Sequence, residues 1–189
     1  PNLLYTGQTS VSGGKFRFSF MVPKDISYSN QLGKMTLYAV SDAQQEAKGA
    51  FLNYKVCGSA EPAQRDTVGP EIRELYLNDT TFVDGGAVNP TPYLVVRLWD
   101  QSGVNITGSS IGHDIQLTID NLPSHSYNLN SYYAQVTDSE GEGLVQFSIP
   151  TLEAGRHTAE LKVWDILNNS TTRTFAFEVV EGLTPNLID

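Results

Sequence analysis

Strict alternation of apolar and polar residues is the feature that most constrains this chain. In residues 15–22, KFRFSFMV, the residues Phe16, Phe18, Phe20 and Val22 fall on one face and Lys15, Arg17 and Ser19 on the other. A period of two describes a half-buried β-strand, because successive side chains of a strand point to opposite sides. Two more strands are expected at residues 35–40, MTLYAV, and 51–56, FLNYKV, joined by the polar stretch 41–50. Beyond residue 70, seven segments read as strands: 71–77, 93–99, 114–119, 127–133, 144–149, 157–164 and 172–180. Turn signals such as Asp84-Gly85-Gly86, Asp100-Gln101-Ser102-Gly103 and Asn168-Asn169 separate them. No segment sustains a helical period. Charged residues make up only 17% of the chain, fewer than exposed helix faces usually carry.

The expected architecture is therefore all-β. Seven short strands in about 110 residues suggest an antiparallel, immunoglobulin-like β-sandwich over residues 70–182. A smaller β-sheet domain, residues 1–58, precedes it, with too few strands to close a sandwich alone. Its missing strands are expected upstream, since the chain starts at Pro1-Asn2-Leu3-Leu4 without an initiator Met. Residues 59–69 lie in a stretch rich in Gly and Pro and read as a linker. Residues 183–189 read as the start of a linker to a further C-terminal module.

Charge changes at the same place. Residues 1–66 hold seven Lys and Arg against five Asp and Glu, whereas residues 67–189 hold five against sixteen. An acidic sandwich is a poor match for nucleic acid, whose phosphates need clustered Lys and Arg. Cys57 is the single cysteine, so no internal disulfide forms. No run of about 18 apolar residues offers a transmembrane helix.

Catalytic patterns are missing. Cys57 ends an apolar strand, while His113, His125 and His157 all lie beyond the linker. A cysteine nucleophile needs a neighbouring base and an electropositive setting, so a structural thiol is the better reading. No nucleophile elbow, phosphate-binding Gly-rich loop or zinc-ligand spacing occurs. No catalytic residue and no cofactor are assigned.

One internal echo stands out: RLWDQSGVN (97–105) and KVWDILNNS (162–170) each run basic, aliphatic, Trp, Asp, polar turn. Strand parity places Arg97 with Trp99 and Lys162 with Trp164. The inward side then holds Leu94, Val96 and Leu98 in one strand and Ala159, Leu161 and Val163 in the other. Each Trp is expected to be partly exposed, with its neighbour's charge against it. Trp99 and Trp164 are candidate surface contacts for a sugar. Asp100, Ser102 and Asn105 alternate oxygen side chains in one loop and are the candidate calcium ligands. A plain Asx-turn, in which the Asp accepts bonds from the backbone two residues on, explains the same residues.

The phrases SVSGGKFRFSFMVPKDISYS (10–29), GPEIRELYLNDTTFVDGG (69–86), LWDQSGVNITGSSIGHDIQLTIDN (98–121) and GRHTAELKVWDILNNSTTRTFAFEV (155–179) carry a resemblance. They resemble the region after the catalytic domain in PorU-type C-terminal signal peptidases, the sortases of the type IX (Por) secretion system of Bacteroidetes. These belong to the gingipain-like cysteine peptidases. The resemblance implies a Gram-negative outer-membrane, cell-surface enzyme that removes C-terminal sorting signals from secreted cargo. Nothing here matches that family's Cys–His dyad. The implied role is a non-catalytic accessory region, with its own upstream peptidase domain and other type IX surface proteins as partners, and a monomer when isolated. The alternative is a carbohydrate-binding or calcium-dependent adhesion module of a secreted protein.

Overall fold

A computed structural model describes residues 3–24, 31–58, 66–108 and 112–184. The chain forms two compact units, Pro1–Ile26 together with Asp66–Asp189, and Ser27–Arg65. The stretch read as a first domain is thus shared between them, and Asp66 at the end of the linker stretch belongs with the sandwich. Most of that linker, 59–65, lies outside the described residues.

The larger unit is a sandwich of two sheets. Strands β3 (Glu71–Leu77), β5 (Tyr93–Trp99), β9 (Glu142–Ser148) and β8 (Tyr133–Gln135) form one, in the order β3-β5-β9-β8. The other has the order β4-β11-β10-β6-β7, from β4 (Ala87–Val88), β11 (Ser170–Val179), β10 (Gly155–Trp164), β6 (Gln116–Ile119) and β7 (Ser126–Asn128). All pairings are antiparallel except the short parallel contact of β4 with β11. One apolar core lies between the sheets. Leu94, Val96 and Leu98 of β5 and Ala159, Leu161 and Val163 of β10 are completely buried, as their parity requires. Removing a Leu or Val side chain from water is worth about 1.5–3 kcal/mol, so these alternating positions hold the two sheets together.

Strands β3 and β5 coincide with the expected segments, but 127–133 is broken. Leu129 is fully buried, and its N–H donates to the Ile115 carbonyl. Asn130 then accepts a bond from the Ile115 N–H and donates to Asp114. A 3-10 turn at Asn130–Tyr132 follows, and the chain passes from β7 in one sheet to β8 in the other. Aromatic and Asn residues in a row look like one strand; the Asn side-chain bonds end it.

Residues 15–22 also depart from expectation. Gly13 and Gly14 both have positive φ, and Ser12 and Lys15 exchange two backbone hydrogen bonds of 3.0 and 3.1 Å, so a hairpin turn forms. Among the described residues no ladder follows it. Residues 5–24 are tied to the sandwich by scattered bonds instead: Tyr5 donates to Gln135 at 2.7 Å, Ser10 through N–H and hydroxyl to Asp138, Ser19 to Glu140, and the Lys24 N–H to the Ile166 carbonyl at 2.9 Å.

The smaller unit holds one antiparallel ribbon, β1 (Gly33–Val40) with β2 (Glu46–Tyr54). Its turn closes through Ser41 and Gln45, with Gln44 at a φ of 60°. Met35, Leu37 and Ala39 lie opposite Phe51, Gly49 and Ala47 on one face. At Gly33 a Cβ would lie 2.3 Å from the Tyr54 ring, so a larger residue there would have to displace that side chain.

Candidate functional site

The two Trp-Asp loops are brought together at one end of the sandwich. Strand β5 ends at Trp99 and β10 at Trp164, one from each sheet, so each Asp opens a loop at a sheet's end. Asp100 Oδ1 accepts bonds from the Ser102 N–H (2.8 Å), the Ser102 hydroxyl (2.6 Å) and the Gly103 N–H (2.9 Å). Asp165 Oδ1 accepts from the Leu167 and Asn169 N–H groups, and its Oδ2 from the Asn169 amide at 2.6 Å. Each carboxylate therefore caps its own loop. The loops are then sewn together by main chain: the Asn105 N–H donates to the Trp164 carbonyl (2.8 Å) and the Ile166 N–H to the Gly103 carbonyl (3.0 Å). Sheet is tied to sheet through these bonds.

Two buried carboxylates result. Asp100 is 4% exposed and Asp165 0%. With Asp66 they form a cluster in which one carboxylate oxygen of each lies within 4.8 Å of the others. Among the described residues, no Lys, Arg or His pairs with any of the three. Burial pushes the Asp100 carboxyl above its ordinary pKa; the Ser102 and Gly103 bonds pull the other way, and the Asp165 charge adds to the push.

Of the candidate calcium ligands, Asp100 and Ser102 bond to each other, while Asn105 Oδ1 accepts from the Thr107 N–H and hydroxyl. Hard oxygens suit calcium. Here Asp100 Oδ1, both Asp165 oxygens and Asn105 Oδ1 already accept donors from their own loops, the arrangement of Asx-turns. Asp165 and Asp66 were not among the sequence candidates. The second Trp-Asp echo pointed to Asp165; nothing local marked Asp66.

The tryptophans are partly exposed and carry cations. Lys162 Nζ sits 4.7 Å from the Trp164 ring centre, its own-strand neighbour as parity indicated, and the His113 ring lies 4.3 Å from the same centre. Trp99 carries Arg73 at 4.7 Å, not Arg97. The β3–β5 register shifts between Ile72 and Glu74, so Arg73 is the extra residue of a bulge and reaches the ring. Arg97 instead pairs with Glu74 (3.3 Å) and Glu142 (3.2 Å).

The possible nucleophile and bases are placed apart in role. Cys57 is exposed and belongs to the smaller unit, whose sequence contains no His. His157 bonds Asp120 through Nδ1 (2.6 Å) and the Glu153 carbonyl through Nε2 (2.9 Å). Burial opposes its charge, but these two acceptors outweigh it and raise its pKa. A cleft of about 320 Å³ beside the Asp100 loop is lined by Leu4, Tyr5, Phe20, Val104, Tyr133 and Glu140 among others. That lining contains no Cys, His or Lys, and its Ser19 hydroxyl donates to the Glu140 carboxylate.

No protein-family model matches the chain, and no curated protein does. Among solved structures, the dimeric latent PorU from Porphyromonas gingivalis is 44% identical, over 90% of this chain, with a TM-score of 0.64. The chain is similar to PorU. It spans 16% of the PorU chain. Likeness to PorU at this identity extends over nearly all of the sequence, so both the sandwich and its flanking segments share in it. The endo-beta-1,4-mannanase from Thermotoga petrophila is 13% identical, over 59% of this chain and 21% of that one, with a TM-score of 0.36.

Proposed function

We propose that this chain is a non-catalytic β-sandwich region of a PorU-like, cell-surface cysteine peptidase that removes C-terminal sorting signals from type IX secretion cargo. The observation that carries this is the 44% identity to PorU over 90% of the chain. The chemistry agrees with it. His157 is held between Asp120 and Glu153, and Asp100 and Asp165 cap their own loops. In this reading the sandwich supports, spaces or docks the peptidase domain, stays outside the cell at the outer membrane, and needs no cofactor. The immunoglobulin-like description belongs to the same proposal.

The test is to remove residues 70–182 from the full-length parent peptidase in its own cell. Hydrolysis of a soluble peptide should persist in the truncated enzyme, while release of sorting signals from surface cargo should fall at least about tenfold, a rise of about 1.4 kcal/mol in effective barrier. Unchanged processing of surface cargo would sink the proposal.

A further inference from the structure

The Ser27–Arg65 unit lies in the sequence between two stretches that both belong to the sandwich unit, Pro1–Ile26 and Asp66–Asp189. Both of those stretches are anchored on one loop. On the near side, the Lys24 N–H donates to the Ile166 carbonyl at 2.9 Å. On the far side, the Asp66 carbonyl accepts the Asn169 side-chain amide at 3.1 Å. Gly69 then passes so near Ser170 that a Cβ there would lie 2.5 Å from its carbonyl carbon. Ile166 and Asn169 are three residues apart in the chain, so no more than about 11 Å separates their Cα atoms. The loop is closed on its own account. The Asp165 N–H donates to the Asn169 carbonyl at 2.9 Å, and the buried Asp165 carboxylate accepts the Leu167 and Asn169 N–H groups. The Asn169 amide that holds Asp66 also donates to Asp165 Oδ2 at 2.6 Å. It therefore bridges two residues whose like charges oppose their approach.

We propose that residues 27–65 are an insertion, that the sandwich folds without them, and that the Asp165 loop is the clasp closing the chain across their place. A fold tolerates an insertion where the ends of the host chain already lie close together, because loop-closure entropy grows only slowly with length. The clasp supplies that closeness. The host stretch before the insertion has attachments of its own: Tyr5, Ser10 and Ser19 bond to Gln135, Asp138 and Glu140. The core agrees. Among the described residues, its buried members and those packed against them all fall between Ile72 and Val179. The smaller unit can therefore change its conformation while the sandwich stays folded, and the Asp165 loop is where such a change stops. The inference stands apart from the peptidase reading.

The test replaces residues 27–65 of the chain by about eight Gly and Ser residues, which span about 14–17 Å on average and so bridge the two anchors. In the shortened protein the sandwich should melt within about 4 °C of its value in the intact chain. The Lys24 N–H should stay as protected from hydrogen exchange as before. A second linker of about twice that length covers the case in which the first is drawn too tight. An unfolded protein, a lower melting point or an unprotected Lys24 N–H with both linkers overturns the inference. The clasp itself is tested in the intact chain by Asn169→Ala, which removes the bridging amide. Exchange of the Val68 N–H, which donates to Asp66 Oδ1 at 3.0 Å, should then rise at least about tenfold, while the Lys24 N–H keeps its protection. Unchanged exchange at Val68 would show that the Asp165 loop is no clasp.

Discussion

The Arg73 guanidinium lies 4.7 Å from the ring centre of Trp99, although Arg97 sits on the same strand as that ring. The cause is the bulge between Ile72 and Glu74, which gives β3 one residue more than its partner there. Arg73→Ala should cost about 0.5–1 kcal/mol, the usual worth of a partly exposed cation–π contact, and should change the Trp99 fluorescence. Arg97→Ala should leave that fluorescence unaltered, because its partners are Glu74 and Glu142. Emission spectra of the two variants decide between them.

Asp165 is fully buried and accepts three bonds within its own loop. Asp165→Ala leaves the Leu167 and Asn169 N–H groups unsatisfied at the point where the two sheets are joined. The expected loss is about 2–4 kcal/mol in urea unfolding, with Asp165→Asn falling between because one oxygen acceptor remains.

The His157 ring can donate to both Asp120 and the Glu153 carbonyl only when protonated. Its folded pKa is raised above the ordinary value near 6.5. The stability it contributes is therefore full below about pH 6.5 and is lost as pH rises through the folded pKa. His157→Gln should flatten the fall in melting temperature on the alkaline side of that value. An identical pH profile for the variant would contradict this pairing.

Asp100 has the opposite chemistry with the same sign. Burial raises its folded pKa, so the folded state holds the proton longer than the unfolded chain does. Stability from this group is full below the unfolded value near 3.9 and declines as pH rises through the folded pKa. Asp100→Asn keeps an oxygen for Ser102 and Gly103 and removes the decline. Denaturant midpoints of the two proteins at acidic pH should converge, and separate as pH rises with the variant higher.

Periodicity revealed what periodicity controls. The limits of β3 and β5 and the buried positions Leu94, Val96, Leu98, Ala159, Leu161 and Val163 all follow from alternation bounded by turn residues. The bulge at Arg73 did not, because one added residue leaves the local pattern intact and shows only in the partner strand. The break at Asn130 depends on bonds to Asp114 and Ile115, fifteen or more residues away. Residues 15–20 alternate and yet have no ladder among the described residues, since a strand's partner is not written in the strand itself. At the loops, the Trp-Asp echo exposed Asp100 and Asp165 as equivalents. The approach of Asp66 is a tertiary fact without a local signal.

A non-catalytic region, as proposed above, hydrolyses no peptide by itself. The most direct measurement is incubation of the purified chain, and of its Cys57→Ala variant, with a peptide spanning a sorting-signal junction, followed by mass spectrometry. No cleavage above buffer is expected for either protein. Cleavage by the unmodified chain that disappears in Cys57→Ala would contradict it.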